Sequence, residues 1–143
     1  MFSTSHLHPM LVHFPVALLL VGFLVDAVYL FLKKDHCLSK AGMYLMILGT
    51  LGAAFALTSG FLFTTPLTEG DVAKVYDRHK MGALFTLIIM AVGTTIRIIL
   101  VVKQKDETSL KWIPFGLYFL GIVAVSFTGL MGGTMVYQYL LGM

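Results

Sequence analysis

Four uninterrupted apolar runs decide what this chain can fold into: Pro9 to Leu32, Ala41 to Phe63, Met81 to Val102 and Ile113 to Leu141. Each has at least the ~20 residues that a helix needs to cross a hydrocarbon core of about 30 Å. The runs are continuous and do not alternate apolar with polar, so they read as helices and not as barrel strands. Only 12% of the 143 residues are charged while 58% are hydrophobic, which leaves no stretch from which to build a soluble domain. The expected fold is therefore all-α: an integral membrane four-helix bundle, one domain over 1–143, with helices at about 9–32, 41–63, 79–102 and 112–141.

The net charge of +3 does not point to nucleic acid, because the basic residues sit in short connections and not on an interleaved basic face. They report orientation. Seven of the ten Lys and Arg fall at Lys33, Lys34, Lys40, Arg97, Lys103, Lys105 and Lys111, while the connection from Thr64 to Arg78 and the start of the third helix carry only Lys74, Arg78 and Lys80. By the positive-inside rule the first and third connections are cytoplasmic and both termini lie outside. No Lys or Arg precedes the first run and no small-residue cleavage site follows it, so that run is expected to stay as an anchor. The single Cys37 falls in the first cytoplasmic connection and has no internal disulfide partner. Trp112, Tyr118, Tyr137 and Tyr139 are placed as interfacial anchors near helix ends.

With that orientation the histidines gather. His6, His8 and His13 open the first helix from outside and His79 opens the third from the same side, whereas His36 is an ordinary solvated loop residue. Six of nine methionines (Met1, Met10, Met81, Met131, Met135 and Met143) share that half. Ionisable groups at membrane depth are costly and face a partner, a cavity or a cofactor. On the third helix His79, Gly82, Ala83, Thr86, Met90, Gly93 and Arg97 recur at steps of three and four, one inward stripe opposite Leu84, Leu87, Ile88 and Ile98. Ser126, Gly129, Gly133 and Tyr137 form the expected matching stripe on the fourth. Small residues at Gly52, Ala56 and Gly60 allow close approach to the second helix.

Asp26 and Arg97 stand at about the same depth from the basic ends of their helices, which points to a structural ion pair. His8 and Asp26, 18 residues apart, share a helix face, and His13 points roughly 140° away. Depth favours His13 as the inward residue, phase favours His8, Pro15 is able to shift the phase, and the expectation leans to His13 with His79 as the partner ligand.

The run His8-Pro9-Met10-Leu11-Val12-His13-Phe14-Pro15, with Asp26, His79 and Gly132-Gly133-Thr134-Met135-Val136-Tyr137, resembles a bacterial family. It is the one catalogued as domain of unknown function 2231. The resemblance covers nearly the whole chain and implies a bacterial inner-membrane protein of four helices whose outer-side histidines belong to the family pattern. Such proteins are more distantly similar to four-helix b-type cytochromes. Two-haem cytochromes of that kind place histidines at both faces, and no helix here has one near its cytoplasmic end, so that similarity implies at most one haem, on the outer side.

Three functions follow. The first is electron transfer through one haem b held by two of His8, His13 and His79, with Gly82, Ala83, Gly129 and Gly133 bordering the ring and Arg78, Lys80 and Tyr137 at propionate level. The second is a cofactor-free accessory or assembly subunit of a larger membrane complex, working with other membrane or redox subunits or as a homo-oligomer. The third is outer-side copper or zinc binding by the histidines and methionines. No hydrolase motif, phosphate-binding glycine loop, His-Glu-x-x-His pair or inverted repeat is present. The chain reads as an electron-transfer or accessory subunit and not as an enzyme in its own right.

Overall fold

The computed structural model describes residues 7–32, 36–64 and 70–140, all of which that take regular structure are helical. Four segments are long and apolar enough to cross a membrane: His8–Leu32, His36–Phe63, Gly70–Val102 and Ser109–Tyr137. The first is built from α1 (Leu7–Leu11) and α2 (His13–Leu32), the second is α3 (His36–Phe63), and the third is α4 (Gly70–Val102). The fourth runs from a 3₁₀ turn at Ser109–Lys111 through α5 (Trp112–Thr134) into a π-helical turn at Met135–Leu140.

Two helices begin earlier than their apolar runs, at His36 and Gly70 in place of positions 41 and 79. Hydrophobicity marks only what meets lipid, and polar first turns continue the same hydrogen-bond ladder outside it. Asp71 sits in the first turn of α4, where a carboxylate favours the helix N-terminus, and Lys74 reaches it at 3.1 Å. The break between α1 and α2 has a cause in Pro15, whose missing N–H and whose ring disturb the carbonyl of Leu11.

The four spans form two hairpins, α2 with α3 and α4 with α5, packed closely within each and more loosely between them. In a bilayer such closeness comes from dispersion contacts, since lipid tails are as apolar as leucine, and small residues set how near the backbones come. Gly49 lies against Leu19 and Gly121 against Met90, and neither site has room for a side chain. Gly52 meets Pro15 and Gly60 meets His8, so the small-residue series of α3 packs on the first span.

The core is Leu19, Met46, Met90 and Tyr118, with Phe23 and Ile122 against it. Tyr118 is thereby a correction. It is fully buried nearly two turns into α5 and not an interfacial anchor, because α5 begins with the aromatic surface of Trp112 and Phe115 and turns Tyr118 inward a turn later. Trp112 and Tyr137 are exposed as anchors should be, and Tyr139 has no described side chain.

Candidate functional site

Polar side chains gather at the two ends of the seam between the hairpins. At one end Arg97 grips Asp26 with both terminal nitrogens, Nη1 to Oδ2 and Nη2 to Oδ1 at 2.8 Å, and Nη2 also donates to the Ser39 carbonyl at 3.0 Å. Asp26 is 1% exposed and Arg97 13%. A charge this deep persists only with such a partner. Gly42 is what lets the carboxylate sit there, since a Cβ at that position would collide with it. A cavity of about 30 Å³, lined among others by Tyr29, Ser39 and Asp106, opens beside the pair and has room for a water or two.

At the other end His8 and His79 come together. Their ring centroids are 6.4 Å apart and their planes nearly perpendicular, at 87°. Each ring is held through its Nδ1. Nδ1 of His8 lies 2.8 Å from the Ser59 hydroxyl, which is also 2.8 Å from the Ala56 carbonyl, so His8 can give or take that bond according to which neighbour receives the hydroxyl hydrogen. The Thr128 carbonyl only accepts, and it lies 2.9 Å from Nδ1 of His79. In its neutral form His79 therefore holds its proton on Nδ1 and leaves the lone pair on Nε2, and His8 does the same when it gives the Ser59 bond, the tautomer in which Nε2 can serve as a metal ligand.

His13 is not part of this pair. It is exposed, and its Nδ1–H turns back to the Pro9 carbonyl at 2.6 Å. Helical phase thus outweighs depth: His8 shares the inward face of Asp26, and the preference for His13 is overturned. His6, Met1 and Met143 lie outside the described residues.

The stripe on α4 faces inward as its spacing predicts, with Thr86, Met90 and Gly93 buried and His79, Gly82, Ala83 and Arg97 half-buried. The α5 stripe does not. Its buried positions are Pro114, Tyr118, Gly121, Val125 and Thr128, while Ser126, Gly129 and Tyr137 are exposed and Gly133 has open space beside it. The reason is that Tyr118 and Gly121 set the inward direction, and the stripe is offset from them by about a quarter turn. The glycine that meets His79 is Gly132, where a Cβ would stand 3.2 Å from Cε1.

A haem between the histidines is partly matched by these residues. Two imidazoles bound to one metal at about 2.0 Å each have centroids roughly 6 Å apart, as His8 and His79 do. The expected border is not assembled: Gly82 faces the Thr128 hydroxyl, Gly129 and Gly133 face outward, and Ala83 alone remains on the inward side beside Gly82. Arg78 and Lys80 are exposed at that end. Met10 and Met81 are exposed too, and among the described residues no three His, Cys, Asp or Glu side chains come together.

Four apolar spans, with a buried ion pair and two facing histidines in the seam between two hairpins, define a multi-pass membrane protein. The chain belongs to the family described as predicted membrane protein DUF2231, whose model matches residues 4–143. No curated protein and no solved structure matches it.

Proposed function

We propose that this protein is an electron-transfer subunit of the bacterial inner membrane that binds one haem b between His8 and His79, at the end of the bundle facing out of the cytoplasm. One observation carries the reading: two imidazoles from different hairpins, their ring centroids 6.4 Å apart, are each held to the protein through Nδ1, which leaves Nε2 for a ligand. Ser59 and the Thr128 carbonyl hold ring orientation and raise ligand basicity. Arg78 and Lys80 supply cationic partners for propionates at the membrane surface. Haem bound there supplies one-electron exchange between ferrous and ferric iron.

A natively extracted sample should show, on reduction, the sharp Soret and α bands of a six-coordinate low-spin haem. His8→Ala and His79→Ala should each abolish them, and His13→Ala should leave them unchanged. A homogeneous sample with neither porphyrin nor metal would support the second reading, a cofactor-free accessory subunit. That reading has its own observation in Gly60, Gly132 and the Gly82–Thr128 contact, which make the histidine end a packed structure as it stands. Copper or zinc without porphyrin would favour the metal-binding reading.

Orientation is tested separately. The seven-to-three division of Lys and Arg supports a cytoplasmic position for Cys37, which is exposed. A membrane-impermeant thiol reagent should leave it unmodified in intact cells and modify it after lysis. Labelling before lysis would reverse the topology and put the histidine end inside.

A further inference from the structure

The inward residues of the two hairpins repeat at a fixed interval. On the first helix of each, His8, Leu19, Gly22 and Asp26 correspond to His79, Met90, Gly93 and Arg97, every pair 71 apart. On the second helix, Met46, Gly49, Ala56 and Gly60 correspond to Tyr118, Gly121, Thr128 and Gly132, every pair 72 apart. The one-residue difference falls in the loop inside each hairpin.

Apolar letters match by composition in any two membrane helices, so the contacts are the stronger evidence. Within the hairpins, Gly49 takes Leu19 as Gly121 takes Met90, and Gly60 takes the edge of His8 as Gly132 takes that of His79, with Cε1 at 3.0 and 3.2 Å from a would-be Cβ. Gly22 stands against Leu45 Cβ as Gly93 stands against Leu117 Cβ, at 2.8 and 3.2 Å on the same measure, and 45 and 117 are again 72 apart. Between the hairpins the contacts are reciprocal. Gly22 meets Tyr118 and Gly93 meets Met46, the pattern in which a patch on one unit faces the same patch on the other.

We infer that the chain is two equivalent helical hairpins fused in one polypeptide and related by a pseudo-two-fold axis along the membrane normal, with His8 facing His79 and Asp26 facing Arg97 across it. Parallel repeats of this kind keep both hairpins in the same orientation in the bilayer. The axis gives the two polar ends different work. At one end equivalent positions carry opposite charges, and two identical hairpins would there set like charges together. Asp26 and Arg97 therefore direct each hairpin to the other kind and not to its own. At the other end equivalent positions carry the same donor, so anything seated between the histidines is met equally from both sides.

Equivalence is tested by exchanging residues across the axis and following thermal unfolding of the full chain in lipid nanodiscs. Met46→Tyr and Tyr118→Met should each lower the midpoint, and the two together should recover at least half of the larger loss, with a tyrosine at position 46 meeting Gly93. Asp26→Arg with Arg97→Asp should recover likewise, since by the same correspondence the Lys111 carbonyl, 72 residues beyond the Ser39 carbonyl that Arg97 takes, would meet an arginine at position 26. Recovery in the Met46 and Tyr118 exchange supports the repeat, since the charge exchange restores an opposite pair in any case. If the protein doubly exchanged at Met46 and Tyr118 is no more stable than its worse single variant, the hairpins are not equivalent. No bound group is needed, so the result is independent of the haem reading.

Discussion

Neutralising Asp26 or Arg97 alone should destabilise the bundle by about 3–5 kcal/mol, and neutralising both should cost less than either single change. The single variants strand a charge that the fold has already taken out of water: Asp26 is 1% exposed, and its guanidinium partner has the Ser39 carbonyl as its only other partner among the described residues. Asp26→Asn leaves the arginine facing a dipole, and Arg97→Met leaves a carboxylate beside Gly42 in a space that excludes any side chain. The double change leaves two neutral groups and one carbonyl beside a cavity large enough to hydrate it, so most of the penalty disappears. The small cavity also sets the expected single-variant loss toward the lower end of the range, because water relieves a stranded charge. Thermal unfolding of the four proteins in nanodiscs gives the coupling directly. Losses that simply add would mean the two groups do not act as a pair.

The pairing was legible because both residues interrupt apolar runs at matching depth, and a charge in a membrane helix has few places to go. The inward face of α4 was legible for a related reason: its small and polar residues recur at helical steps, and lipid tolerates the other face. The α5 face was not, since Ser126, Gly129 and Gly133 look as suitable for burial as Gly121 and Thr128, and nothing in the composition says which set meets α4. Tyr118 misled for the opposite reason, as a tyrosine some turns from a helix end suits an interface as well as a core. The choice between His8 and His13 was present in the helical phase, and only the bend before Pro15 left it open. The repeat was readable too, from His8-x-Met10 with Phe14 and His79-x-Met81 with Phe85, but in apolar sequence such an echo gains force only when the same pairs make the same contacts.

Enlarging Gly49 should be the most damaging single change to packing, and enlarging Gly129 should be nearly silent. A Cβ on Gly49 would stand 2.7 Å from Leu19 Cγ and 3.2 Å from the Leu19 backbone nitrogen. Leu19 is wholly buried, so its side chain has nowhere to swing, and the backbone contact means that relief requires the helices themselves to separate. Gly49→Leu then forces α2 and α3 apart at the Leu19 contact, at a cost above the ~1–3 kcal/mol usual for overpacking. Gly129 has no heavy atom within 4 Å of a new Cβ, so Gly129→Leu adds apolar surface to a face that already meets lipid. Unfolding midpoints of the purified variants in nanodiscs should therefore fall steeply for Gly49→Leu and stay near the parent for Gly129→Leu. Equal losses would mean that α5 turns a different face to the bundle. A Gly129→Leu protein that is stable alone but no longer co-purifies with a native complex would instead identify the open glycine face of α5 as the side on which another subunit packs.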